Sequence, residues 1–157
     1  MNALELKKSL WEKPETHQQY GNVLAVDNLP RDKVPPHQNA FILNTDYQTG
    51  PGEHWVAVYF APYSRVAEFF DPLGRSVKDY DPRLMAFLRR NKEYTLENAP
   101  QRCQSVYGEA CGQFCLYYLL KRSRGDSMQT ILDGFSPNRF IMNDLLVKSV
   151  VAQEFNV

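Results

Sequence analysis

The stretch of this chain that leaves least freedom is "CGQFCLYYLLKRSRG", residues 111–125. From Phe114 to Leu120 almost every side chain is apolar, and the run closes on basic residues and a glycine, the common ending of a helix. A helix at a protein surface shows one apolar stripe; one that is apolar all round has to be enclosed. The segment is therefore predicted to be a central buried helix with the rest of the chain layered about it. At 157 residues there is enough chain to do so as one domain, 1–157, around a single core.

The surrounding pieces are short and well punctuated. "ALELKKSLWE" sets Leu4, Leu6, Leu10 and Trp11 at roughly helical spacing until Pro14 ends the pattern. "GNVLAVDNLP" and "AFILNTD" read as strands on either side of "RDKVPPHQNA", whose consecutive prolines can continue neither element. "YQTGPGE" carries the Gly-Pro-Gly signal of an exposed turn. In "HWVAVYF", His54, Val56, Val58 and Phe60 share one face and Trp55, Ala57 and Tyr59 the other, and apolar groups on both faces mark a central strand. "RVAEFFDPLG" is a strand that must stop near Asp71, because Pro72 and Gly74 break it, so strands 54–60 and 65–70 are expected to form a hairpin. "DPRLMAFLRRN" has an Asp cap, a proline in the first turn and a stripe of Leu84, Phe87 and Leu88. "EYTLENAP" is a further strand, and "SMQTILDGF" and "NRFIMNDLLVKSVVAQEF" are amphipathic helices expected to cover the central one.

Charge and composition exclude several classes of function. Lysine plus arginine equal aspartate plus glutamate at 18 each, which leaves no bias towards polyanions, so nucleic acid is not an expected partner. Residues 72–125 hold ten bases against five acids, and this excess is read as a solvated helix face. No run is long and apolar enough to cross a bilayer, and "MNALELKKSLWEKPE" lacks an apolar secretory core, so no membrane partner and an intracellular site are expected. Cys103, Cys111 and Cys115 are too few and too close for a disulfide framework; with only His17, His37 and His54 and no CxxC pair, no metal is expected either. The cysteines are left with reactivity or packing.

A cysteine nucleophile needs something to lower its pKa. Cys111 sits at the start of the predicted helix, where unpaired N–H groups and the helix dipole favour negative charge, and Gly112 beside it would let a substrate backbone come close. Cys115, one turn on, has no such help and reads as core packing. A histidine must take the thiol proton. His17 and His37 lie in polar loop contexts, whereas His54 stands at the mouth of the central strand next to Trp55. An acid should orient the imidazole, and Asp71 ends the strand paired with that of His54, although alone it is an ordinary turn-starting aspartate. For the oxyanion donor, Gln104 lies seven residues before Cys111 in the loop entering the helix, in competition with Gln101 and Gln113; Gln113 is disfavoured because it lies beyond the nucleophile.

"GEHW", then "FFDPLG", then a glutamine seven residues before "CGQFC", in that order, resembles the adenovirus-type cysteine endopeptidases (adenain-like), relatives of the proteases that process ubiquitin-like modifiers. "ILNTD" shortly before the histidine adds to the likeness, which covers roughly residues 20–125. The resemblance implies an α+β fold: a papain-like cysteine protease with rearranged chain order, a central mixed sheet packed between helices, the nucleophile on the buried helix, and histidine before cysteine. It implies Cys111, His54 and Asp71 as catalytic residues, Gln104 in the oxyanion hole, and Trp55 lining a narrow groove that takes glycine-type residues. Implied partners are protein or polyprotein substrates, such as capsid precursors, met by a monomeric enzyme in the host nucleus, cytoplasm or virion. The alternatives are removal of ubiquitin-like modifiers, or a non-catalytic module keeping the protease fold, which four occupied chemical positions oppose. Adenoviral enzymes also resemble one another in a cysteine that joins an activating viral peptide by disulfide and in stimulation by DNA. Aligning "TLE" puts Glu93 at the place of that cysteine, and the chain is neutral and shorter. No cofactor is therefore expected, and a covalent peptide activator only if Cys103 takes over that task.

Overall fold

The segment from Cys111 to Ser123 is a helix whose Phe114, Cys115, Leu116, Tyr118, Leu119 and Leu120 are all fully buried, as its composition demands. The computed structural model describes residues 1–19, 21–30, 37–46, 54–106 and 108–157. The Gly-Pro-Gly turn and the two consecutive prolines read from sequence lie outside these residues.

In chain order the elements are α1 (Ala3–Glu12), α2 (Pro14–His17), β1 (Asn22–Ala25), β2 (Ala40–Asn44), β3 (Trp55–Ala61), β4 (Val66–Phe70), α3 (Pro82–Leu88), β5 (Thr95–Asn98), α4 (Cys111–Ser123), α5 (Met128–Asp133) and α6 (Phe140–Phe155). The five strands form one sheet in sequential order. The outer pairs β1–β2 and β4–β5 are parallel, and β2–β3 and β3–β4 antiparallel. This is an α+β fold with a mixed sheet between helices. On one face Ala57, Tyr59, Ala61 and Phe70 pack with α4, α5, α6 and the Leu6 and Leu10 of α1. On the other, Val56, Val58, Phe60 and Phe69 pack with Leu84, Phe87 and Leu88 of α3. Alternation along β3 thus serves two cores, which is why neither of its faces is polar.

The hairpin expected from 54–60 and 65–70 is β3 and β4, with Ala57 opposite Phe70 and Ala61 opposite Val66. Arg65 sits outside β4 at φ 54, in the tight connection. Carried one step beyond Phe70, the register sets Asp71 against Val56, on the side of the ribbon from which His54 also departs. The chain then turns at "DPLG". Gly74 takes φ 75, and a Cβ there would lie 2.7 Å from the Arg102 nitrogen, so only glycine lets the turn meet the loop carrying Gln104. That contact is made by the Pro72 carbonyl, which accepts from the N–H groups of Cys103 (2.8 Å) and Gln104 (2.9 Å).

α6 departs from the expected pattern. Val147, Val151 and Phe155 face the core, but in its first two turns Asn143 and Asp144 are buried while Ile141, Met142 and Leu145 are exposed. The cause is polar: Asn143 and Asp144 bond backbone groups of the loops that they cover.

Candidate active site

The start of α4 is set at the end of the β3–β4 ribbon and is left open. Its N-cap is Ala110, whose side chain caps nothing, so the N–H groups of the first turn keep their positive field for whatever lies before them. Cys111 is that first residue, half-buried, and shares a cleft of about 490 Å³ with His54, Trp55, Tyr80 and Gln104.

Three predicted residues meet in a line. The His54 Nε2–H donates to Asp71 Oδ1 at 2.6 Å, and the ring is also hydrogen-bonded to Cys111, for which Nδ1 is the nitrogen left. Asp71 has no exposed surface. Its Oδ1 also accepts the Leu73 N–H at 2.8 Å, and its Oδ2 accepts the Tyr80 hydroxyl at 2.5 Å. Burial works against charge on His54, but the bonds and charges of Asp71 and Cys111 outweigh it and raise the imidazole to about 9. Burial likewise opposes the Cys111 thiolate, yet His54 and the backbone N–H groups of Trp55 and Gly112 lower its pKa below the usual thiol value. The two shifts have opposite sign, and each group contributes to the other's: the imidazole favours the thiolate, and Asp71 together with Cys111 favours the imidazolium.

The other two cysteines lie outside this field. Cys103 is fully buried and pushed up to about 12, and Cys115 is pushed up well above the ordinary thiol value, chiefly by burial. Both are thiols at neutral pH, and Cys103 offers no surface to an external peptide.

Gln104 lies on the cleft wall, 2% exposed. One Nε2–H donates to the Gly108 carbonyl at 2.8 Å, which fixes the amide plane and leaves its second N–H for another acceptor. Of its competitors, Gln101 bonds instead to the Leu132 carbonyl at 3.4 Å. Trp55 also walls the cleft, its indole N–H held by the Met1 carbonyl at 3.1 Å. Gly112 differs from the sequence reading. A Cβ there would lie 3.4 Å from both Leu6 and Met1 and 3.6 Å from Trp55, so the room that it leaves is taken by α1 and its leading residue instead of opening to a substrate.

Sequence reasoning missed Tyr80 and Arg75. Tyr80 stands behind the triad, its ring 6.5 Å from that of His54 and nearly parallel to it, and Arg75 hydrogen-bonds the same hydroxyl. Both sit in the connection between β4 and α3, where no periodicity singles them out. The one available signal was nearness in sequence to Asp71.

A cysteine at an open helix start, paired with a histidine and a buried acid at the end of a two-stranded ribbon, is the arrangement that this α+β fold, a mixed sheet packed between helices, brings together. A model of the adenovirus endoprotease family matches residues 32–140, and the chain belongs to that family. Among relatives, the protease of porcine adenovirus A serotype 3 is 37% identical over 97 residues, covering 53% of this chain and 46% of its own. That of bovine adenovirus 4 is 32% identical over 113 residues, covering 62% and 56%. The chain spans about half the length of the curated relatives it matches. A structure of the SUMO protease Ulp1, with its catalytic cysteine oxidised to a sulfinic acid, superposes with a TM-score of 0.51 at 12% identity. It covers 99% of this chain and 78% of that one, a likeness of fold.

Proposed function

We propose that the protein is a cysteine endopeptidase with Cys111 as nucleophile, His54 as acid and base, Asp71 as orienting acid, and Gln104 with the Cys111 N–H as oxyanion hole. The observation that carries this reading is the Asp71–His54–Cys111 chain, which ends at an uncapped helix start in the cleft that Gln104 also lines. The Cys111 thiolate attacks a substrate carbonyl carbon, and the negative charge that moves to oxygen meets the Cys111 N–H and the spare Gln104 N–H. His54 then gives its Nδ1 proton to the leaving amine as the C–N bond breaks, leaving a thioester on Cys111. His54, now neutral, takes a proton from water; the resulting hydroxide attacks the thioester, and the acid product leaves with the thiolate restored. The family membership supports the same assignment.

Substrates in this reading are protein chains with small residues at the cut, because Trp55, pinned by the Met1 carbonyl, walls the cleft beside the nucleophile. The viral relatives favour precursor proteins of a virus particle over ubiquitin-like conjugates. The test challenges the protein with peptides containing Gly-Gly and with a ubiquitin-like vinyl sulfone. Peptide cleavage abolished by Cys111→Ser supports the reading; reaction with the folded probe alone reverses the choice of substrate, and no reaction with either refutes the peptidase.

A further inference from the structure

The loop that carries Gln104 is gripped from outside the family match. α6 runs from Phe140 to Phe155, and all but its first residue follows the matched segment 32–140. Its first two turns point the wrong way for an amphipathic helix: Asn143 and Asp144 are 4% and 6% exposed, while Ile141, Met142 and Leu145 face outward. Buried polar groups persist where they satisfy other polar groups, and here the partners flank Gln104. The Asn143 Nδ2 donates to the Cys103 carbonyl at 3.0 Å and to the Ser136 carbonyl at 2.8 Å, and its Oδ1 accepts the Ser136 N–H at 2.9 Å. Asp144 Oδ1 accepts the Ser105 N–H at 3.2 Å. Asp144 Oδ2 would lie 2.5 Å from a Cβ at Gly108, so it abuts the residue whose carbonyl fixes the Gln104 amide.

The geometry points to Asn143 and Asp144 as positioning residues that set the oxyanion donor, one holding the peptide before Gln104 and the other the peptide after it. From the turn after Asp71, Pro72 holds the backbone N–H groups of Cys103 and Gln104, while on the α6 side the Arg102 guanidinium, stacked 4.0 Å over the Phe140 ring, donates to the Gln104 carbonyl at 2.8 Å. α6 and the turn after Asp71 thus close on Gln104 like two jaws. Neither residue touches substrate; they act through the placement of an amide that must meet the oxyanion and not the ground-state carbonyl. The inference rests on the reading of Gln104 as oxyanion donor.

The experiment is a double-mutant cycle between Asp144→Ala and Gln104→Ala, read by peptide kcat and KM, by peptide-aldehyde inhibition and by iodoacetamide alkylation of Cys111. An aldehyde adduct needs the oxyanion hole, and alkylation needs only the thiolate. Asp144→Ala is expected to lower kcat by roughly tenfold to a hundredfold with KM nearly unchanged. It should weaken the aldehyde in proportion and leave the alkylation rate and its pH profile as in the parent protein. Asp144→Asn, whose amide oxygen can still accept the Ser105 N–H, should return to within about threefold, and Asp144→Ala should add almost nothing in the Gln104→Ala background. Should Asp144→Ala not fold, Asp144→Ser carries the same cycle. Additive losses, or alkylation falling together with kcat, overturn the positioning role. A parent-like kcat in Gln104→Ala overturns instead the oxyanion reading beneath it.

Discussion

Asp71→Asn separates what Asp71 does by charge from what it does by shape. The asparagine oxygen can keep the place of Oδ1, accepting from His54 and the Leu73 N–H, while its NH2 replaces Oδ2 before the Tyr80 hydroxyl, which can turn to accept. Imidazole orientation survives, and the negative charge does not. Two unit charges with centres about 4 Å apart interact by ~4 kcal/mol at an effective dielectric near 20, a ceiling of ~3 pKa units. Since the hydrogen bond is retained, a fall of roughly 1–2 units in the His54 pKa is expected. In the parent protein the ion pair exists above the lowered pKa of Cys111 and below the value of about 9 for His54, so kcat/KM should rise through the first and fall through the second. In Asp71→Asn the falling limb should move to lower pH, while Asp71→Ala, which also frees the ring, should lose activity at every pH. The assay is kcat/KM from pH 5 to 10 on a glycine-containing peptide. A profile for Asp71→Asn that superposes on the parent curve would mean that the carboxylate does not sustain the imidazolium.

Tyr80→Phe removes one of three donors to a fully buried carboxylate and should cost ~1.5–3 kcal/mol in denaturant unfolding, with kcat reduced more than KM is raised; a loss under about 0.5 kcal/mol would remove the hydroxyl from the account. Glu68 is buried and accepts from the Tyr118 hydroxyl (2.5 Å) and from two nitrogens of Arg122 (2.9 and 3.0 Å), tying α4 to β4. Glu68→Ala takes the acceptor from the Tyr118 hydroxyl and from two Arg122 nitrogens, leaving Arg122 only its bond to the Asp126 carbonyl, and should destabilise by ~3–5 kcal/mol, whereas Glu68→Gln should lose clearly less; equal losses would show that packing, not the bonds, is at stake. Mapped iodoacetamide labelling at pH 6 to 7 should find Cys111 well before Cys103 or Cys115, whose burial keeps them protonated. Equal rates at the three would mean that no thiolate is held.

Much of this arrangement was legible in the sequence, for reasons that are local. The apolar run after Cys111 can only be an interior helix, the Asp-Pro start of α3 is a cap, and "DPLG" must end β4. With β3 and β4 joined by four residues, a hairpin follows, and with it the nearness of His54 to Asp71. What was not legible depends on neighbours distant in sequence. Nothing in "CGQFC" says that the room at Gly112 belongs to Leu6 and Met1. The first turns of α6 read as an ordinary apolar stripe, and only the buried backbone groups of Cys103 and Ser105 explain why Asn143 and Asp144 are turned inward. Tyr80 answers the second oxygen of Asp71, a need that arises only once folding has buried that carboxylate.

The central claim is that Cys111 carries the acyl group of a cleaved peptide, and trapping that species tests it most directly. A peptide ester ending in glycine, mixed with the protein, quenched in acid within milliseconds and digested for mass spectrometry, should leave its acyl mass on the fragment containing Cys111. The adduct should vanish in Cys111→Ala and build up more slowly in His54→Ala. Turnover of the ester with no adduct on Cys111, or with the acyl group on another residue, would contradict the account.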